Sequence, residues 1–169
     1  GDLILPHPKK IYSEYKAHSL TIVGEKSLMR CWDFNEFKLS NSRMSQPQHR
    51  FNLICNERRV FQKIKTEKPD LYQSCLHPIT NPSLDDMTSK YNELYELPEN
   101  SYRVNEFIGA YAEKMSESEK LDLFQILLGK FNHLHQMGIT HGDVGDHSVW
   151  ISYKKEILLS NFSAANDQT

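Results

Sequence analysis

Apolar positions change their period along the chain, and the changes mark its elements. Tyr12, Tyr15, Leu20, Ile22 and Val23 form an extended run ahead of a Gly24-Glu25-Lys26 turn, and Leu28 to Phe34 form a second. A hairpin-like pair of strands is therefore expected over 11–34. Residues 38–48 are polar and read as a loop. From Pro47 to Lys65 the spacing becomes helical: Leu53, Val60, Phe61 and Ile64 share a stripe, Ser45 is a candidate cap, Pro47 suits a first turn, and Pro69 lies just past the end. Residues 66–90 hold three prolines and read as irregular connection. Tyr91 to Leu97 alternates as a strand does, and Pro98 and Asn100 break it. Leu121, Phe124, Leu127, Leu128, Phe131 and Leu134 then predict a long helix over 117–137, stopped by Gly138. A polar loop follows, then a hairpin in which Val149, Ile151 and Tyr153, and later Ile157 and Leu159, alternate around Lys154-Lys155. Strands, helix, strand, long helix, loop and hairpin make an α+β order.

The chain has 169 residues, enough to bury a core. Its 20 basic and 22 acidic side chains leave a formal charge of −2, which gives no pull toward nucleic acid or an anionic membrane. Cys31, Cys55 and Cys75 are far apart and make no framework spacing, so a reducing, cytoplasmic setting is expected. No apolar run is long enough to span a bilayer, and residues 1–8 lack the layout of a secretory leader.

Glu57 falls on the apolar stripe of its own helix, four residues after Leu53, three before Val60 and seven before Ile64. A carboxylate there either reaches solvent at the helix edge or is paired inside, and Arg30 in the preceding strand is the natural partner. The loop His141-Gly142-Asp143 lies between a rigid helix and a hairpin. Asp143 there is either a turn former, as is Asp146, or a positioned base.

The segment LHQMGITHGDVGDHSVWISYKKEILLSNFSAA resembles the catalytic segment of protein kinases, with its HRDLxxxxN and DFG motifs. Leu134, His135, Gly138, Ile139, His141 and Asp143 match directly. Asn161-Phe162-Ser163 stands at the DFG position, 161 − 143 = 18 residues after Asp143, and Ser148 stands at the metal-binding Asn, 161 − 148 = 13 residues before it. Upstream, NERRVFQKI is similar to the helix carrying the kinase ion-pair Glu, SLMRCWDF to the strand of the VAIK lysine with Arg30 in its place, and YNELYELPEN to the strand entering the hinge. The motif HGDVGDHSVW also resembles bacterial kinase-like proteins of phage-defence systems, the PglW group.

The resemblance implies a small N-terminal lobe over 1–97, with an antiparallel sheet and one helix, and the start of an incomplete helical C-terminal lobe over 98–169. Asp143 becomes the catalytic base, Arg30 the phosphate-orienting cation paired with Glu57, Tyr95 the gatekeeper, Glu96 and Leu97 the hinge, and Asn161 and Ser148 the magnesium positions. It also implies ATP and magnesium as ligands, and a larger parent protein with other domains, since the chain ends 169 − 163 = 6 residues after Ser163. Protein partners or substrates are expected, and no nucleic acid or membrane.

The departures point to degeneracy. No glycine-rich loop precedes Arg30, whose planar fork differs from an ammonium. Asn161 is neutral where magnesium favours a carboxylate, and Ser148 is shorter than Asn. Gly142, Gly145 and Ser163 replace the family's Arg, Lys and Gly. The expectation is a pseudokinase that binds ATP and magnesium weakly or not at all and serves as a regulatory or scaffold module, with an atypical Ser/Thr kinase as the alternative. A metal-dependent hydrolase is a distant third, because His133 and His135 diverge by about 200° on a helix. Asp146 and His147 are minor candidate ligands, motivated only by adjacency.

Overall fold

A computed structural model describes residues 2–4, 12–18, 26–33, 47–79 and 90–168. The chain is α+β, with small antiparallel sheets, and divides into two compact units. One comprises Gly1–Cys55 and His77–Glu99, the other Asn56–Leu76 and Asn100–Thr169. The division falls within helix α1 (Pro47–Glu67), whose first half belongs to one unit and second half to the other.

The first unit is a four-stranded antiparallel sheet in the order β1 (Asp2–Ile4), β2 (Ser13–His18), β3 (Lys26–Asp33) and β4 (Lys90–Glu96). Alternation decides which side chains go inside. Leu28, Arg30 and Trp32 of β3 are buried, as are Tyr91, Glu93 and Tyr95 of β4. Tyr12, Trp32, Ile54 and Tyr91 form the apolar cluster, with the Tyr12 and Trp32 rings 4.8 Å apart. Beside β4, Ile79 donates its backbone N–H to Leu94 at 2.7 Å.

The second unit takes Val60, Phe61 and Ile64 from the C-terminal half of α1 into a core completed by Leu71, Phe107, Leu134, Ile139, Val149, Ile151, Leu159 and Phe162, among others. Its elements are α2 (Pro69–Gln73), β5 (Ser101–Arg103), α3 (Val104–Tyr111), α4 (Glu117–Gln136), β6 (Ile139–Thr140), β7 (Val149–Ser152), β8 (Ile157–Leu159) and β9 (Asn166–Asp167). Strands β5, β7 and β8 make one sheet and β6 with β9 another, all antiparallel. Helix α4 starts on a capping box: Ser116 Oγ accepts from the Glu119 N–H at 3.2 Å, and the Glu119 carboxylate accepts from the Ser116 N–H at 2.8 Å. The β7–β8 hairpin turns through Lys155, whose φ is 64°.

Two stretches differ from the sequence reading. Residues 66–79 are not wholly irregular, since α2 occupies Pro69–Gln73 with a proline in its first turn, too short to display a period. Between Pro98 and α4 lie β5 and α3, which the apolar spacing did not separate. The Gly24-Glu25-Lys26 turn falls largely outside the described residues, as do Ser45 and the polar loop ahead of α1. Helix α4 uses only part of its apolar arc. Leu134 is buried and Leu127 and Phe131 pack on the core, but Leu121, Phe124 and Leu128 are more than half exposed. Phe124 and Ile108 border an apolar groove of about 350 Å³ between α3 and α4. Among the described residues no helix is long and apolar enough to cross a membrane.

Candidate functional site

The loop His141-Gly142-Asp143 hangs on a buried histidine. His141 is 1% exposed, its Nε2 lies 2.7 Å from the Ser160 carbonyl oxygen, and its Nδ1 receives the Asp143 N–H at 3.2 Å. A carbonyl can only accept, so Nε2 carries the proton and Nδ1 supplies the lone pair, which makes the ring neutral. Burial lowers the pKa of His141; the Ser160 carbonyl, Asp143 and Glu57 pull the other way without overcoming it. The ring also packs on Phe162 at 4.7 Å and Phe131 at 5.8 Å. Gly142 has φ 78°, and a Cβ there would sit 2.3 Å from the Ala164 carbonyl oxygen. The loop therefore admits no side chain at this position.

Further along, the chain makes a 3-10 turn over Asp146–Ser148. Ser148 closes it: its hydroxyl donates to the Gly145 carbonyl at 2.8 Å and accepts the Gly145 N–H at 2.9 Å, while the Ser148 carbonyl accepts the Ser160 N–H at 2.8 Å. Asp143 lies against His147, with Oδ1 and Nε2 3.2 Å apart and the two side chains 11% and 7% exposed. Asp146 is mostly in solvent, at 58% exposure, with Oδ1 3.9 Å from His147 Nδ1.

Asn161 is fully buried and left-handed, with φ 65° and ψ 51°. Asn is among the few side chains that tolerate this region. Its carbonyl oxygen accepts the Ser160 hydroxyl. The left-handed step throws the chain into a 3-10 turn over Phe162–Ala164. There the Phe162 N–H donates to Glu57 Oε2 at 2.8 Å, and the Phe162 ring packs on Phe61 at 5.1 Å. Glu57 is 2% exposed, which removes the solvent-facing alternative. The same face of α1 binds the rest of the segment. Asn56 donates to the carbonyls of Ser163 at 3.0 Å and Ala165 at 2.8 Å, and Arg59 and Lys63 pair with Asp167 at 3.3 and 2.8 Å.

Asn161 and Ser148 thus present neutral oxygens already engaged in local hydrogen bonds. A divalent hard cation favours carboxylates in an open shell, and these two positions do not fit one. Among the described residues no three His, Cys, Asp or Glu side chains come together as a metal site, and His133 and His135 are both exposed. Cys75 is no candidate nucleophile either, because burial pushes its thiol up to about 12.

In the first unit Arg30 is fully buried between two carboxylates. Strand register places Glu14 and Glu93 on either side of it, and each carboxylate stands 3.9 Å from a guanidinium nitrogen. The guanidinium carbon lies 4.4 Å from the Tyr12 ring centre and 4.5 Å from that of Tyr95, a cation–π sandwich. Glu93 Oε2 also accepts from Trp32 Nε1 at 3.0 Å and from the Tyr95 hydroxyl at 2.7 Å. Tyr95 and Leu97 are buried and Glu96 is exposed. Arg30 belongs to the first unit and Glu57 to the second. Sequence reasoning missed Glu14 and Glu93, although both fall in phase with aromatic positions, Tyr12-x-Glu14 and Tyr91-x-Glu93-x-Tyr95.

Two outcomes are expected. Arg30→Met leaves Glu14 and Glu93 buried beside a neutral side chain and lowers stability by about 3–5 kcal/mol in urea denaturation. For His141, the unfolded ring titrates near 6.5 and the buried ring below that. The unfolded chain therefore takes up the proton first as pH falls. The stability His141 contributes is complete above about pH 6.5 and declines below it. Melting temperatures measured from pH 7.5 to 5 will show this decline, and His141→Gln will remove its share of the slope.

Compared with family models and with curated proteins, the chain matches no family model and no curated protein.

Proposed function

We propose that this chain is a kinase-like domain that has given up efficient phosphoryl transfer and acts as a regulatory or scaffold module within a larger protein. The single observation that carries the reading is the state of the two metal positions. Around the loop of Asp143 the local order supports this reading: His141 lies on the Ser160 carbonyl, Asn161 is left-handed and Phe162 is in the core. Within that frame Ser148 closes a turn on Gly145 and Asn161 accepts from Ser160. Phosphoryl transfer is catalysed almost entirely by positioning and by charge stabilisation from cations. A frame kept without its charged oxygens supports a module that transmits shape rather than one that turns over nucleotide. Arg30, in place of the lysine, supports the same reading, since its guanidinium is enclosed by Glu14, Glu93 and two aromatic rings.

A thermal-shift series with ATP, magnesium and manganese tests this. A ligand confined to the folded state at one hundred times its dissociation constant adds about 2.7 kcal/mol of stability. The expected result at millimolar ATP is no rise in midpoint that depends on a divalent ion. A rise abolished by a chelator, with phosphate transfer lost in Asp143→Ala, contradicts this reading and favours the atypical Ser/Thr kinase.

A further inference from the structure

Helix α4 carries a second pattern on the side turned away from its own core. Glu117, Leu121, Phe124, Leu128, Phe131 and His135 follow one another at intervals of four, three, four, three and four residues. Two helices pack side by side through this alternation, with its apolar positions at the seam. Leu121 is 55% exposed, Phe124 56% and Leu128 51%, while Phe131 is half-buried against the core. Single exposed apolar side chains are ordinary, but a row of them on successive turns marks a contact surface. Among the described residues, Leu121 and Leu128 belong neither to the core cluster of this unit nor to the lining of the groove beside α3. The flank of the row is polar and uncharged, with Ser118, Gln125 and Asn132 all exposed.

We propose that this row is the contact between two copies of the chain, their α4 helices packed antiparallel about a twofold axis. The two ends of the row decide the occupant and its direction. The N-terminal end is acidic: Glu117 is 90% exposed, with Oε1 taken by Lys120 of the same helix at 2.7 Å, an exposed pair that holds it weakly. The C-terminal end is the exposed His135, whose ring N–H can donate to a carboxylate whether or not the ring is charged. A copy running in the opposite direction sets Glu117 against His135, Leu121 against Phe131 and Phe124 against Leu128. Acid then meets donor at both ends and apolar meets apolar between them. A parallel copy would set Glu117 on Glu117. A twofold contact uses one patch twice, and a row with opposite ends is complementary to itself only when reversed. The uncharged flank adds no repulsion, and the opposed helix dipoles favour the same direction. The row is short for a coiled-coil seam, so the dimer is weak and forms as concentration rises. None of this depends on whether the chain binds nucleotide or transfers phosphate.

The test is sedimentation equilibrium on the full chain from micromolar to near-millimolar concentration. The expected result is a monomer–dimer equilibrium. Leu121→Glu and Leu128→Glu, which leave the core untouched, should each weaken the dimer roughly tenfold or more by placing a charge in the seam. Glu117→Lys puts a cation opposite His135, and His135→Glu puts an acid opposite Glu117, so each should weaken it as well. The double variant exchanges the two ends and should recover most of what either single change loses. Circular dichroism on every variant confirms that the helix is kept. A chain that stays monomeric throughout overturns the proposal and leaves the row to a different occupant. A dimer that Leu121→Glu and Leu128→Glu leave unchanged overturns it too, because the contact then lies elsewhere. Single end variants that lose nothing, or a double variant that recovers nothing, overturn the antiparallel pairing.

Discussion

One hydrogen bond orders the second unit: the Phe162 N–H donating to the Glu57 carboxylate. A carboxylate inside a core is costly unless it is hydrogen-bonded, and so is a buried backbone N–H. Each group answers the need of the other. Once they meet, the direction of the chain at Asn161 is set, and with it the Ser160 carbonyl that receives His141. His141 in turn receives the Asp143 N–H. A helix residue some eighty positions upstream thus reaches the loop of Asp143 through three successive hydrogen bonds, each buried or nearly so.

The first unit solves a similar problem with opposite emphasis. Its inner face carries a cation between two carboxylates, roofed and floored by tyrosine rings. Such a set contributes little to net stability compared with an apolar core of equal volume, but removal of any one charge is heavily penalised. It defines the register of β2, β3 and β4 sharply, because a slip of one residue would turn all three charges to the other face.

Much of this was legible in the residues, for physical reasons that can be named. The long helices declared themselves because twenty or so residues give a period time to repeat, and β4 and the β7–β8 hairpin because alternation there is clean. The phase of Glu57 with Val60 and Ile64 left an inward acid and a solvent-facing one both open, and its bond to Phe162 was not legible, since that amide lies 162 − 57 = 105 positions away and has no side-chain signature. Helix α2 and strand β5 were too short to show a period. Glu14 and Glu93 were hidden by the assumption that inward strand positions are apolar. The exposed Leu121, Phe124 and Leu128 show the converse: helical spacing identifies an apolar arc, but not how much of it meets a partner.

Amide hydrogen exchange at Phe162, measured in wild type and in Glu57→Ala, addresses the central bond most directly. A hydrogen bond to a charged acceptor contributes about 1.5–3 kcal/mol, so its loss should speed exchange at Phe162 by roughly tenfold to a hundredfold while the β8 amides stay protected. Equal protection of Phe162 in both proteins would contradict the account.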